Sequence, residues 1–205
     1  MLISLSVFRR VLLLLASCWI GLSPAFATTI RPPDFDELVG NSGRIVRATV
    51  HSVRPYEDSY EGKRIVRTEI VLNVLETLRG ENVTSELRIR QLGGEIDGLG
   101  LEVGAMPKFE VGRELVLFLH GEGKFICPTV GWGHGKYFVD RSSLDGVARI
   151  RRSDGRMLTS LKQVAEPMHG IEAAALTAGS AETGMSLTDF RINVLELVEQ
   201  GESHR

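Results

Sequence analysis

The 205-residue chain balances 24 basic against 26 acidic side chains, a formal net charge of −2, and contains two cysteines. Near-neutrality without a basic stripe excludes an ordinary nucleic-acid binder. Two cysteines exclude an exported domain stapled by several disulfides.

The chain opens with a short basic head, Arg9-Arg10, and an apolar run from Val11 to Leu22. Pro24 breaks the run, and Ala25-Phe26-Ala27 supplies a small-x-small step. This is the pattern of a secretory signal over residues 1–27, cleaved after Ala27, and it predicts a periplasmic or extracellular protein. Leu15-Ala16-Ser17-Cys18 offers the alternative of a lipoprotein anchored at Cys18, although Trp19-Ile20 continue the apolar run instead of starting a polar tether. The stretch is at the short limit for a membrane span, and Pro24 interrupts it, so no span is expected in the mature chain. Cleavage removes two arginines and no acid, leaving 22 basic against 26 acidic residues. Cys127 then has no intrachain partner and is expected to be a buried thiol.

Asp34, with Glu37 three residues on, reads as a capping box that starts a short helix over 35–40. From Arg44 the period becomes two. Val46, Ala48 and Val50 alternate with Arg47, Thr49 and His51 as a half-wet strand. A polar loop over 55–62 is expected next, followed by a long strand from Val66 to about Leu78, able to bend and serve two sheets. Leu87 and Ile89 mark a third strand, Gly93-Gly94 its end, and 95–110 a long loop. Leu115 to Leu119 is apolar at every position, as in a strand covered on both faces. Short strands follow at 125–127 and 136–139, with a further hairpin around Asp145-Gly146. Arg149, Arg151, Arg152 and Arg156 surround a turn and read as a solvated loop. Residues 151–185 lose the alternation and read as linker, with a helical turn at 159–165. Ser186 caps a helix over 186–200 whose stripe of Leu187, Phe190, Val194, Leu197 and Val198 must pack, most simply on its own barrel; Gly201 stops it.

Five to seven strands in this length predict a mainly β domain over 34–150, a small closed OB-like barrel with a short N-terminal helix and a C-terminal amphipathic helix. Several segments carry a resemblance: Ile45-Val46-Arg47-Ala48-Thr49-Val50, Leu78-Arg79-Gly80, Gly93-Gly94, the lead from Pro107 to Glu114 into Leu115–Leu119, and Gly131–Gly135 before Lys136-Tyr137-Phe138-Val139. Over about residues 36–142 the chain resembles uncharacterised exported bacterial proteins with an OB-like barrel. It is distantly similar to the netrin-like module of tissue inhibitors of metalloproteinases. Those inhibitors reach the protease metal through a disulfide-bonded N-terminal cysteine, whereas this chain has Thr28 after the cleavage site. The resemblance therefore implies a fold and not that inhibition.

Chemistry is sparse. His120, Cys127 and His134 could converge, near Glu122, as zinc ligands or as a thiol with a histidine base. Their spacing matches no structural zinc signature, and an apolar strand ending at Pro128 would hide the thiol. The glycine runs 93–100 and 131–136 lack the lysine and hydroxyl of a phosphate loop and read as tight turns. Trp132, between two glycines, either folds back as a lid on the core or stands out as an aromatic platform. Trp132, His134 and Lys136 are thus the candidate binding surface. No catalytic residue, metal or cofactor is assigned. The function expected is a non-enzymatic exported binding or accessory module whose ligand the sequence does not name, another exported protein being one candidate partner. The alternatives are a regulator of an exported peptidase, or a thiol- or metal-dependent enzyme using Cys127, His120 and His134.

Overall fold

A computed structural model describes residues 31–83, 85–121, 126–168 and 184–203. The signal segment, Thr84, Glu122–Phe125 and most of the Ala- and Gly-rich stretch lie outside the described residues.

Helix α1 (Phe35–Gly40) starts as its sequence dictates: Glu37 N donates to Asp34 Oδ1 at 2.7 Å, and Asp34 N to Glu37 Oε2 at 3.2 Å. It buries Phe35, Leu38 and Val39. Strand β1 (Arg44–Tyr60) then pairs antiparallel with β2 (Lys63–Arg79) along its whole length. The expected polar loop over 55–62 is therefore strand up to a two-residue turn. Glu61 and Gly62 there have φ of +50° and +74°, the paired left-handed geometry of a tight hairpin. Its polar side chains hold each other across the ribbon, Arg64 on Glu57 and Arg67 on Asp58, so no apolar alternation announces it.

Strand β3 (Glu86–Leu92) lies outside β2. The predicted loop over 95–110 contains a small separate hairpin, β4 (Gly94–Ile96) and β5 (Leu99–Leu101), turning at Asp97-Gly98 with φ of +49° and +75°. Strand β6 (Glu114–Leu119) pairs with the first part of β1. Beyond it lie β7 (Lys136–Asp140) and β8 (Arg149–Arg152). The expected strand at 125–127 is not formed at Ile126 and Cys127, and Phe125 lies outside the described residues. The sheet order is β3-β2-β1-β6-β7-β8, mainly antiparallel β, with β3 and β8 at its edges. Register shifts at Ile45/Val46, Arg47/Ala48 and Val50/Ser52 interrupt the β1–β2 ladder, and β2, expected to serve two sheets, lies in this one sheet between β1 and β3.

Each face carries its own core. On one, Ile45, Val116, Phe118, Tyr137 and Ile150 pack beneath α1 and helix α2 (Leu187–Ser203). On the other, Val46, Val50, Ile70, Leu72, Leu115 and Leu117 form a second cluster. β6 serves both, which is why every residue from Leu115 to Leu119 is apolar and buried.

Residues 151–168, expected as linker, are packed. Leu158 and Val164 are fully buried, and a 3-10 turn covers Leu161–Ala165, near the predicted one. Ser186 Oγ accepts from Asp189 N at 3.0 Å, capping α2 as predicted. The helix continues through Gly201 to Ser203, because a solvent-facing glycine weakens a helix without ending it. Its stripe docks on the protein's own sheet: Phe190 joins Phe35, Phe118 and Tyr137, with ring centroids between 5.2 and 6.4 Å apart.

Candidate functional site

The glycines of 131–136 are packing requirements. Gly131 has φ of +62°, and a Cβ there would lie 2.9 Å from Pro33 Cγ. A Cβ on Gly135 would collide with the Val130 carbonyl. Between them Trp132 adopts φ of +58°, its carbonyl held by Thr129 Oγ1 at 2.8 Å. The tight chain path accounts for Gly131 and Gly135.

The three predicted surface residues do not share a surface. Trp132 is half-buried. His134 is buried, its Nδ1 3.2 Å from the Val164 carbonyl, and burial holds its pKa below the usual imidazole value. Lys136 is 2% exposed. Its ammonium donates to the Lys108 carbonyl and lies 4.4 Å from the Phe138 ring centroid and 5.4 Å from that of Phe109. Burial pulls its pKa down to about 8, with Glu110 opposing and Arg113 adding to the fall. His134 thus belongs beside the helix-covered core and Lys136 beside the other one.

The enzyme constellation fares no better. Cys127 is buried, with Sγ 3.2 Å from Thr129 Oγ1, and burial pushes the thiol up, the reverse of nucleophile activation. His120, partly buried, has its pKa lowered by that burial. Among the described residues no group of three or more His, Cys, Asp or Glu is arranged to hold a metal ion.

Two features escaped the sequence. The first is the arginine-rich turn, expected as a solvated loop. Arg152 is 1% exposed and donates to the Glu166 carbonyl at 2.7 Å, with Asp154 Oδ2 3.8 Å away. Arg156 holds the buried Asp154 at 2.9 Å, and Arg151 pairs with Asp140. Arg151 and Arg152 tie β8 to its neighbours, and Arg156 bridges Asp154 and Glu166 beside it. The network is fully engaged, so it reads as structural. Alternating arginine spacing on a strand was its only sequence signal.

The second is a trough of about 1470 Å³ along the β3 edge. Leu87, Ile89 and Leu119 supply apolar wall, and Arg44, Arg67, Arg88 and Arg90 line it with, among the described residues, the acids Asp58 and Glu81. Arg44 Nε is buried without a hydrogen-bond partner. An unpaired buried donor is costly, and a groove combining it with apolar walls has the composition of a ligand surface.

No family model matches the chain, and no curated protein matches it.

Proposed function

We propose that the chain is exported, loses residues 1–27, and works outside the cytoplasm as a non-enzymatic binding or accessory module on an OB-like barrel. The barrel reading is supported by two contacts at the open side of the sheet. Leu119 bridges to Thr129, and Leu92 N donates to the Ile126 carbonyl at 2.9 Å, so the segment following β6 approaches the β3 edge. A barrel held at one point along its seam leaves the rest of that seam for a ligand.

The observation that carries the binding role is the trough itself: apolar walls and four arginine side chains in one place. The buried, deactivated Cys127 weighs against the thiol-enzyme alternative. The test is photo-crosslinking in the native envelope, with the reactive residue at Ile126 or Leu101 in the trough and at the fully exposed Leu144 as the control. A discrete adduct at the trough positions alone is expected. Equal labelling at all three would overturn the binding role. N-terminal sequencing of the same material is expected to begin at Thr28; a lipidated Cys18 would instead establish the anchored form.

A further inference from the structure

The direction of the main-chain groups along β3 follows from three hydrogen bonds. Val74 N donates to Ser85 O at 2.8 Å, and Gly93 N to Val66 O at 2.8 Å, so the odd-numbered residues of this strand bond to β2. Leu92 N turns the other way, to Ile126. The N–H and C=O groups of Glu86, Arg88 and Arg90 therefore point away from β2 and into the trough. β3 is an edge strand with β2 as its only paired strand among the described residues.

Side chains alternate across the same strand. Leu87 and Ile89 join the inner core cluster, while Arg88 and Arg90 stand on the opposite face, where Glu69 meets both at 3.4 and 3.1 Å. A chain laid beside β3 would place every second residue opposite Leu87 and Ile89, and the others opposite the two arginines. Glu69 meets both guanidiniums and Glu86 meets Arg88 at 2.7 Å, while Arg44 and Arg67 add to the arginines along the trough.

From this placement, and resting on the binding-module reading above, we propose that β3 takes an extended peptide by strand addition, acidic residues opposite Arg88 and Arg90 alternating with apolar residues against Leu87 and Ile89. Main-chain hydrogen bonds supply affinity and the alternating side chains supply selectivity. A second copy of this chain fits the edge poorly, because antiparallel self-pairing about Ile89 sets Arg88 opposite Arg90, a like-charge cross-strand pair.

The test uses the mature chain and a fluorescent synthetic peptide alternating glutamate and valine, followed by anisotropy. Three comparisons accompany it: lysine in place of glutamate, N-methylation of the amides on one edge, and the Arg90→Pro variant. Proline is tolerated on an edge strand where the N–H faces outward, so this change removes a docking donor and spares the β2 ladder. Saturable binding is expected, weakened roughly tenfold or more by each change, the scale of losing one charge-assisted or main-chain hydrogen bond. An unchanged melting temperature would show that Arg90→Pro still folds; if it does not, Arg88→Glu with Arg90→Glu replaces it. Binding that survives N-methylation and Arg90→Pro would overturn strand addition. Absence of binding would overturn the peptide ligand, and the module reading would stand if trough crosslinks persist and fall if they vanish too. A dimer by sedimentation, abolished by Arg90→Pro, would make a second copy the occupant and overturn the proposal.

Discussion

The two faces of the sheet are finished differently. The helix-covered face is sealed by α1, α2 and the 161–165 turn over a four-ring aromatic cluster, and its buried Arg152 has partners. The other face is closed by the 102–113 segment, which lays Phe109 on the inner cluster. Two buried side chains hold consecutive carbonyls of that segment: Gln91 Nε2 bonds Pro107 O at 3.2 Å, and Lys136 bonds Lys108 O. Both buried polar atoms without a partner among the described residues, Gln91 Oε1 and Arg44 Nε, lie on this side. A protein can tolerate unsatisfied groups where other interactions over-determine the fold, and such groups collect where something else is bound. The contrast separates a face fully partnered among the described residues from the side on which the proposed ligand trough lies.

The sharpest way to break that comparison is Phe190→Ala. Removing a fully buried ring from the aromatic cluster is expected to cost about 3–5 kcal/mol by urea denaturation. Ile126→Ala, at a half-exposed trough residue, should change stability by under about 0.5 kcal/mol. Comparable losses would show that the two faces are not energetically distinct.

Arg152→Ala comes next. It strips the buried Asp154 of one cation and leaves the Glu166 carbonyl without its donor, with an expected cost of about 2–4 kcal/mol. Arg156 still holds Asp154, which keeps the loss below that of an isolated buried pair.

Lys136 tests the other face through pH. Its folded pKa, about 8, lies below the unfolded value near 10.5, so the unfolded chain binds more protons between these limits. Stability should therefore rise with pH from about 8 towards 10.5, by up to about 3 kcal/mol from this group. Below pH 8 the group is protonated in both states and contributes no slope. In Lys136→Met the rise should disappear from denaturation curves taken at successive pH values. An identical slope in both proteins would remove Lys136 as its source. The buried Tyr137 hydroxyl, its pKa raised by burial, works oppositely above pH 10, because the unfolded chain then releases a proton that the folded one retains.

The smallest effect is expected at Asp140. Burial opposes its ionisation, yet hydrogen bonds from Ser142 and Arg151 hold its pKa at about 2. A lowered carboxylate contributes stability above about pH 4 that is lost as pH falls through 2. Discounted for its exposure, that is about 1 kcal/mol, and Arg151→Met should erase part of the corresponding acid slope, Ser142 holding the rest.

Parts of this fold were legible because they are local. The Asp34/Glu37 box, the Ser186 cap and the apolar stripe of α2 depend on residues within a few turns of one another. The unbroken Leu115–Leu119 run reported a strand between two layers for the same reason. The outer end of the β1–β2 ribbon, expected as a loop over 55–62, was missed because charged pairs, not apolar alternation, join its strands. The 131–136 reading divided because a 3-10 turn over Trp132–Gly135 precedes β7, so His134 and Lys136 do not share a strand face: Lys136 went under Phe109 and Phe138, while His134 went to Val164.

By itself, the sequence determined the mainly β character, the two capped helices, and a core apolar enough to need covering on both sides. These follow from period and capping, which act over a few residues. Only the tertiary structure decided that Arg152 is buried, that Lys136 holds a loop, and that arginines 44, 67, 88 and 90 meet along one sheet edge. Those outcomes depend on partners tens of residues away, and a charged side chain is written the same way whether its partner is water, a carbonyl or a ligand.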